Sequence, residues 1–116
     1  MLGSLTSQLD HYMTLLSVSQ KLVASNIANA DTPGYKTKGL DFASELRQAQ
    51  AAQSNAAPAI SDIPGLRVKE DGNNVDLDRE ARLLSENGLR FSVASNLVRT
   101  QLKCIRSAIQ GSATGV

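Results

Sequence analysis

The sequence predicts a mainly α-helical fold, in which two long terminal helices pair as an antiparallel, coiled-coil-like hairpin with a short irregular or partly extended middle segment. Three observations support this prediction. Apolar or small residues recur every three or four positions near both ends of the 116-residue chain, which is the spacing of a helical stripe. Only 3% of the residues are aromatic, so buried area must come mainly from aliphatic side chains, as in helix packing. Pro, Gly and polar residues separate the two periodic segments.

The first periodic segment runs from about residue 5 to residue 30. Its apolar stripe includes Leu9, Tyr12, Leu16 and Val23. Because these positions alternate three and four apart, they share one face of a helix. We expect this face to form the core of the helix pair.

A second ridge widens the apolar surface of this helix and includes Leu15, Leu22 and Ile27. Between residues 1 and 30 the only formal charges are Asp10 and Lys21. A helix surrounded by water normally carries charges along its outer face. The first helix is therefore expected to be covered on several sides.

The residues after the first helix predict a stop followed by a turn. Pro33 disfavours the helical conformation at Thr32. Pro33-Gly34 is the pair that a type II turn favours at its two central positions. A C-terminal cap and a turn account for the residues from Asn29 to Gly34, but they do not account for Asn26.

The middle of the chain has little apolar surface to bury. Residues 40–47 could form a short helical turn, and residues 60–73 contain enough Ile, Leu and Val for one short strand. Residues 48–59 consist of Ala, Gln, Ser and Asn with one Pro, and we expect them to form a flexible connection because so little burial offsets the entropy of ordering them.

The second periodic segment carries the clearest pattern in the chain. Its seam runs from residue 77 to residue 109 with a spacing of four, three, four and three, which corresponds to about 50 Å of helix. Asn74 or Asp76 can cap its start, and Gly111 and Gly115 are expected to end it. The seam residues expected to pair with the first helix are Leu84, Phe91, Val98, Leu102 and Ile105.

Pairing one stripe of each helix leaves the second ridges uncovered. On the second helix this ridge includes Val93 and Leu97. The combined patch exceeds what monomers usually expose, so Leu15, Leu22, Ile27, Val93 and Leu97 are candidate contacts between subunits. We divide the chain into one discontinuous axial helical domain, residues 1–35 and 74–111, and a flexible connecting segment, residues 36–73.

Composition and motifs argue against an enzyme, a metal site and a cofactor. The chain lacks the Gly-x-Ser-x-Gly elbow, the phosphate-binding Gly loop and the paired-His zinc motif. His11 is the only histidine and Cys104 the only cysteine, so an internal disulfide cannot form. The net charge of +1 gives no electrostatic reason to expect nucleic acid as a partner. The N-terminus lacks the basic stretch, apolar run and cleavage site of a secretory signal. No apolar run approaches the ~20 residues needed to span a bilayer, so we expect neither a cleaved signal nor a membrane-spanning helix.

Asn26 and Asn29 form the one constellation that simple helix rules do not explain. They lie three residues apart, just before the stop, although Asn is disfavoured inside helices because its side chain competes for backbone hydrogen bonds. Buried amides can select one packing register among several, as they do in coiled coils.

The same residues carry a resemblance to a known family. The segment from Ala24 to Lys36, with its core Asn26-Ile27-Ala28-Asn29 followed by Thr32-Pro33-Gly34-Tyr35, resembles the N-terminal signature of bacterial flagellar rod and hook axial proteins. The segment Asp71 to Glu80 resembles the lead into the C-terminal helix in the FlgB subgroup of the proximal rod.

The resemblance implies a structural subunit that stacks through its terminal helices into a periplasmic rod and transmits torque for motility. It implies export through the flagellar type III apparatus without a cleaved signal peptide. The implied partners are other copies, rod proteins of the FlgC, FlgF and FlgG types, the rod-base adaptor and the export apparatus. Two alternatives stay open at this point, namely another axial subunit such as FlgC and a cytoplasmic helical adaptor or chaperone.

Overall fold

The predicted fold class is confirmed by a computed structural model. The structure describes residues 2–52 and 57–113, and it describes side chains for residues 5–50 and 57–111. In chain order the elements are α1 (Leu2–Ala28), β1 (Lys38–Gly39), α2 (Phe42–Ala52), β2 (Ser61–Asp62) and α3 (Leu77–Ala113).

The two long helices run antiparallel. Asn26 near the end of α1 contacts Glu80 near the start of α3, Ser19 contacts Asn87, and Thr6 near the start of α1 lies opposite Gln101. As the residue number rises along α1 it falls along α3, so the chain forms a helical hairpin. Among the residues whose side chains are described, the buried apolar residues are few: Leu15, Leu16, Val23, Ala30, Val75 and Ala94.

The predicted turn follows α1. The backbone N–H of Tyr35 donates to the carbonyl of Thr32 across 3.2 Å, and Gly34 has a φ of 76°. A positive φ at the third residue is the requirement of a type II turn, and Gly meets it without steric strain.

Helix α2 is longer than the short helical turn predicted for residues 40–47, and its last residues fall in the segment expected to be flexible. Asp41 starts it, because its carboxylate accepts from the backbone N–H of Ser44 at 3.2 Å. The ring of Phe42 then packs edge-on against Tyr12 of α1, with centroids 5.3 Å apart. This tertiary contact stabilises a helix that its own composition makes marginal. Residues 53–56 of the predicted flexible segment lie outside the described part of the chain.

A two-stranded antiparallel ladder closes the middle of the chain. Lys38 lies opposite Asp62 and Gly39 opposite Ser61, and the side chains of Lys38 and Asp62 form an ion pair. A Cβ at Gly39 would lie 2.5 Å from Cδ1 of Ile63, so a larger residue there would force the Ile63 side chain to shift.

Helix α3 begins at a cap and continues past its predicted end. The Asp76 carboxylate accepts from the backbone N–H groups of Asp78 at 3.0 Å and Arg79 at 3.2 Å, which makes Asp76 the N-cap. The prediction that Gly111 ends the helix is wrong, because α3 extends to Ala113. A helical Gly costs only about 1 kcal/mol relative to Ala. Gly115 lies outside the described residues.

The hairpin is long and thin. Its principal extents are 72 × 28 × 16 Å and its radius of gyration is 18.9 Å, whereas a compact chain of this length would have a radius of gyration of about 13 Å. Among the described residues, no helix is long and apolar enough to cross a membrane.

Candidate functional site

A cluster of buried polar residues lies where the C-terminal end of α1 meets β1 and the start of α3. Its buried members are Asn26, Thr37, Asn73, Asn74 and Glu80, and together they define the polar junction. Buried polar groups destabilise a fold unless they are hydrogen-bonded. Each buried polar group of the polar junction is therefore expected to have a hydrogen-bond partner.

Asn26 uses the full hydrogen-bonding capacity of its side chain. Its Nδ2 donates to the Lys38 carbonyl at 2.9 Å and to Oε2 of Glu80 at 3.2 Å. Its Oδ1 accepts from the Tyr35 hydroxyl at 2.9 Å and from the Lys38 backbone N–H at 3.1 Å. An amide has two donors and two acceptor lone pairs, so one side chain joins α1, the turn, β1 and α3.

Glu80 brings a carboxylate into this buried environment. Its side chain is fully buried, Oε2 accepts from Asn26, and Oε1 accepts from Nη1 of Arg79 at 2.6 Å. The pairing with Arg79 compensates the charge, which would otherwise be costly to bury. Because Glu80 lies in the first turn of α3, the negative charge also complements the helix dipole.

Asn29 holds the end of α1 in place by two kinds of contact. Its Nδ2 donates to the Ser25 carbonyl at 2.8 Å, and its Oδ1 accepts from the Thr32 hydroxyl at 3.1 Å. Its own backbone carbonyl accepts from Nδ2 of Asn73 at 2.8 Å. The side chain of Asn29 therefore caps locally, while its backbone is tied to the segment before α3.

Asn73 and Asn74 fasten the lead into α3 against the turn. Besides its bond to Asn29, Nδ2 of Asn73 donates to the Thr32 carbonyl at 2.9 Å, and its Oδ1 accepts from the Val75 backbone N–H at 2.8 Å. The Oδ1 of Asn74 accepts from the Thr37 backbone N–H at 2.7 Å. Asn74, one of the two candidate caps, thus bonds to the residue before β1 and does not cap α3.

Two glycines allow the turn and the lead into α3 to touch. The backbone N–H of Gly34 donates to the Asp71 carbonyl at 2.9 Å. Gly72 has a φ of 88°, and a Cβ there would lie 3.3 Å from Cα of Gly34. Nζ of Lys36 donates to the Gly72 carbonyl. The two sequence segments that carry the family resemblance are thus in direct contact.

The polar junction has the properties of a structural joint. The side-chain amides and carboxylate described above bond to other groups of the same joint. Among the described residues, no group of three or more His, Cys, Asp and Glu side chains is placed to hold a metal ion. The arrangement can fix the angle and rotation of two helices relative to one another.

The residues predicted to pair the two helices are more deeply buried on α1 than on α3. On α1, Leu16 and Val23 are buried and Leu9 and Tyr12 are half-buried. On α3, Val98 and Ile105 are half-buried.

The other three seam residues of α3 lie largely outside the helix contact, contrary to the expectation. Leu84, Phe91 and Leu102 are 42%, 44% and 56% exposed. With Leu77 and Ile109, which are also exposed, they form a continuous apolar line along one side of α3. We call these five residues the front stripe.

A different line of residues on α3 faces α1. Glu80, Asn87 and Ala94 are buried and follow one another at seven-residue intervals. Asn87 is held by a bond from its Nδ2 to the Ser19 hydroxyl at 2.9 Å. This polar and small-residue line is rotated by roughly 60° from the front stripe. Apolar periodicity could not reveal it, although the regular spacing of Glu80, Asn87, Ala94 and Gln101 is visible in the sequence.

The residues predicted to contact neighbouring subunits also differ in how exposed they are. Leu15 is buried within the hairpin, so it cannot reach a neighbour in this conformation, and that prediction is corrected. Leu22 is half-buried and Ile27 is exposed. Val93 and Leu97 are 52% and 51% exposed and, with Leu89 at 69%, they form a second apolar line, which we call the back ridge.

Comparison with known proteins assigns the family. A profile described as "Flagella basal body rod protein" matches residues 13–36. A flagellar basal body rod protein FlgB of Salmonella typhimurium is 33% identical, with 85% of this chain and 88% of the relative covered. The chain belongs to the FlgB family of flagellar basal body rod proteins. FlgB proteins of Escherichia coli and Borrelia hermsii are 32% and 27% identical, over 84% and 85% of this chain and 87% and 90% of the relatives.

The part of the chain that matches the rod-protein profile includes the α1 side of the polar junction. Residues 13–36 contain Asn26, Asn29 and the turn from Thr32 to Tyr35, all of which bond within the joint. Family membership confirms the predicted resemblance and does not favour the alternative of a cytoplasmic adaptor or chaperone.

Proposed function

We propose that this FlgB-family chain is a structural subunit of the proximal rod, which assembles with itself and with other rod proteins through α1 and α3 and transmits torque for motility. The observation that carries the proposal is the outward-facing apolar surface of α3. The front stripe and the back ridge lie on opposite sides of a helix whose third side already packs on α1. A helix with three contact faces is suited to the interior of a polymer rather than to a free monomer.

The total surface supports the same conclusion. The chain exposes 8004 Å², whereas a compact monomer of 12.3 kDa would expose about 6,100 Å². The excess of about 1,900 Å² is roughly twice the ~800 Å² that one partner contributes to a specific protein contact.

Torque transmission requires that subunits resist relative rotation. Dense side-chain packing has low compressibility, and a saturated hydrogen-bonded joint opposes changes in helix angle. We propose that Asn26, Asn29 and Tyr35 keep the hairpin rigid while the apolar faces of α3 join subunits. In this assignment Leu84, Phe91 and Leu102 contact neighbours, and Leu9, Tyr12, Leu16, Val23, Val98 and Ile105 support the hairpin.

Membership of the FlgB family supports a proposal about the partners and the location. We propose assembly with further copies, with rod proteins of the FlgC, FlgF and FlgG types, and with the rod-base adaptor and export apparatus. The rod formed in this way would lie in the periplasm. We also propose that residues 1–35 and 74–111 form the axial unit of the subunit, with residues 36–73 attached to its side. We propose no catalytic activity, since the polar groups of the joint bond to one another.

Deletion and complementation test this function. A strain lacking the gene is expected to be non-motile and to yield basal bodies without a rod, and the wild-type gene restores both. Leu102→Asp should fail to restore them, because it places a charge in the front stripe. Asn96→Asp, at an exposed position of α3 outside both apolar lines, is the matched control and should complement. A motile deletion strain would refute the proposed function.

A further inference from the structure

Three sides of α3 differ in their surroundings: one packs on α1, one carries the front stripe and one carries the back ridge. Their order around the helix constrains how copies of the chain can contact one another. Starting from the side that packs on α1, the front stripe follows after roughly 60°, and the back ridge lies about 180° from the front stripe. The sector between front stripe and back ridge that does not face α1 carries Ser85, Ser92, Arg99 and Lys103, all exposed or half-exposed side chains. Each apolar line is therefore a separate surface.

The front stripe is one wall of a groove, and α1 is the other. Nε2 of Gln20 donates to the carbonyl of Leu84 at 3.5 Å, which places Gln20 beside the stripe. Met13 and Ile27, seven residues before and after Gln20, lie on the same side of α1. Met13 is half-buried and Ile27 is exposed, so the groove has apolar side chains on both walls.

Helix α2 does not fill this groove. Phe42 of α2 packs on Tyr12 and lies under the guanidinium of Arg90, 6.0 Å from its ring centroid. Arg90 is about 120° around α3 from Leu84. Among the described residues, α2 therefore covers the opposite side of the hairpin, and the groove is left for another molecule.

The back ridge is a single line of exposed apolar side chains whose length is similar to that of the front stripe. Leu89, Val93 and Leu97 are spaced four residues apart, and the exposed Cys104 continues the line. From Leu89 to Cys104 the ridge is about 22 Å long, and from Leu84 to Leu102 the front stripe is about 27 Å long. A convex line on a single helix can insert between two antiparallel helices over this whole length.

We infer that the back ridge of α3 in one copy of this chain inserts into the groove between α1 and α3 of the next copy. The inference rests on the proposed function and names its partner surface. The contact is heterologous, since two different surfaces of the same chain meet. A heterologous contact that does not close continues into a filament, so each added copy offers a new groove or ridge.

The exposed area favours this contact over a face-to-face dimer. Two copies could bury their grooves against each other as a four-helix bundle, but the back ridge, with Leu89 at 69% exposed, would stay in water. The excess surface of about 1,900 Å² accommodates two patches of about 800 Å² each. One groove and one ridge per copy account for both patches.

Mixing two defective variants tests the inference. Phe91→Asp disables the groove and Val93→Asp disables the ridge, while Ser92→Asp, between them in sequence and exposed in the polar sector, is the control. In sedimentation velocity we expect the wild type and Ser92→Asp to form species larger than dimers as concentration rises. Each of the other variants alone should stay monomeric. An equimolar mixture of Phe91→Asp and Val93→Asp should give particles of twice the monomer mass and nothing larger, because one intact groove meets one intact ridge.

Several results would overturn the inference. A dimer of Val93→Asp alone would show that grooves meet face to face, and a monomeric mixture would show that groove and ridge are not partners. A wild type that stays monomeric at all concentrations would show that copies do not bind one another. Far-UV circular dichroism must show equal helix content for the variants, and Leu97→Asp must repeat the result of Val93→Asp. Failure of the rod function itself would appear separately, as motility in the deletion strain.

Discussion

The two ends of this hairpin are held together by different kinds of interaction. At the polar junction, Asn26 makes four hydrogen bonds and Glu80 is buried against Arg79. Along the rest of the hairpin, the side of α3 that faces α1 carries Asn87, Ala94 and Gln101 with the half-buried Val98 and Ile105. The front stripe and the back ridge face outward. Three buried side-chain atoms have no hydrogen-bond partner among the described residues: Nε2 of His11, Oε1 of Gln20 and Nε2 of Gln101.

This difference shows how one small chain can be both well ordered and ready to assemble. A saturated polar network specifies a single geometry, because any slip leaves several buried groups unpaired at once. Apolar surface is non-directional and can be completed by a neighbour. The junction end therefore determines the shape of the subunit, and the outward surfaces of α3 remain for assembly.

The largest expected effect comes from a charge in the small apolar core that joins the two regions. Leu16→Asp places a carboxylate at a side chain that is 1% exposed, and it should lower the free energy of unfolding by on the order of 4 kcal/mol or more. Urea denaturation followed by circular dichroism measures this change. Ser17→Asp, at the exposed neighbouring position, should change it by less than about 0.5 kcal/mol. An unchanged urea midpoint for Leu16→Asp would show that the helices do not pack through this residue.

The next effect tests the polar network itself. Asn26→Leu keeps a side chain of similar size but leaves Glu80, Lys38 and Tyr35 without their common partner, so we expect a loss of about 3–5 kcal/mol. Asn96→Leu, an exposed amide on α3, is the control, with an expected change within about 0.5 kcal/mol. Equal urea midpoints for the two variants would mean that the network contributes little to stability.

A smaller effect is expected at the close approach within the junction. Gly72→Ala forces a side chain into a φ of 88° and within 3.3 Å of Cα of Gly34, which should cost about 1–3 kcal/mol. The thermal midpoint should therefore fall. A midpoint at or above the wild-type value would show that the turn and the lead into α3 can separate without loss.

The smallest expected effect is a gain in stability, at a position outside the polar junction. Gly88→Ala adds a Cβ that meets nothing within 4 Å in the middle of α3. It should raise stability by about 0.5–1 kcal/mol through helix propensity alone. If Gly88→Ala lowered the thermal midpoint of the lone subunit, the outer surface of α3 would be packed rather than open.

The sequence was sufficient for features that depend on local chemistry. The two helices follow from periodicity and the turn from Pro33-Gly34. The cap of α3 is Asp76, one of the two candidates that the sequence offered beside Asn74. Each of these depends on residues within a few positions of one another. The resemblance of residues 24–36 and 71–80 identified the family for the same reason, since both segments are continuous in the chain.

Features that depend on contacts between distant residues were not predictable in the same way. Phe42, the first residue of α2, packs on Tyr12, thirty residues earlier in the chain, and no local pattern shows this contact. The rotation of α3 could not be deduced from its strongest apolar stripe, because that stripe is not what faces α1. Leu15 was assigned to a neighbouring subunit for the same reason, since the sequence does not show which face a partner helix will cover.

The amino-acid sequence by itself determined that the chain forms two long helices, that a turn and a polar corner end the first, and that the apolar surface exceeds what one copy can bury. Only the tertiary structure decided which side of α3 turns inward. In the structure Glu80 bonds to Asn26 and Asn87 bonds to Ser19 across the two helices, while Leu84 and Phe91 stay exposed. Rotating α3 to bury these two apolar residues would break both bonds and leave the buried amide of Asn26 without its Glu80 partner. Directional hydrogen bonds at one end oriented the helix, and the hydrophobic surface was left facing outward.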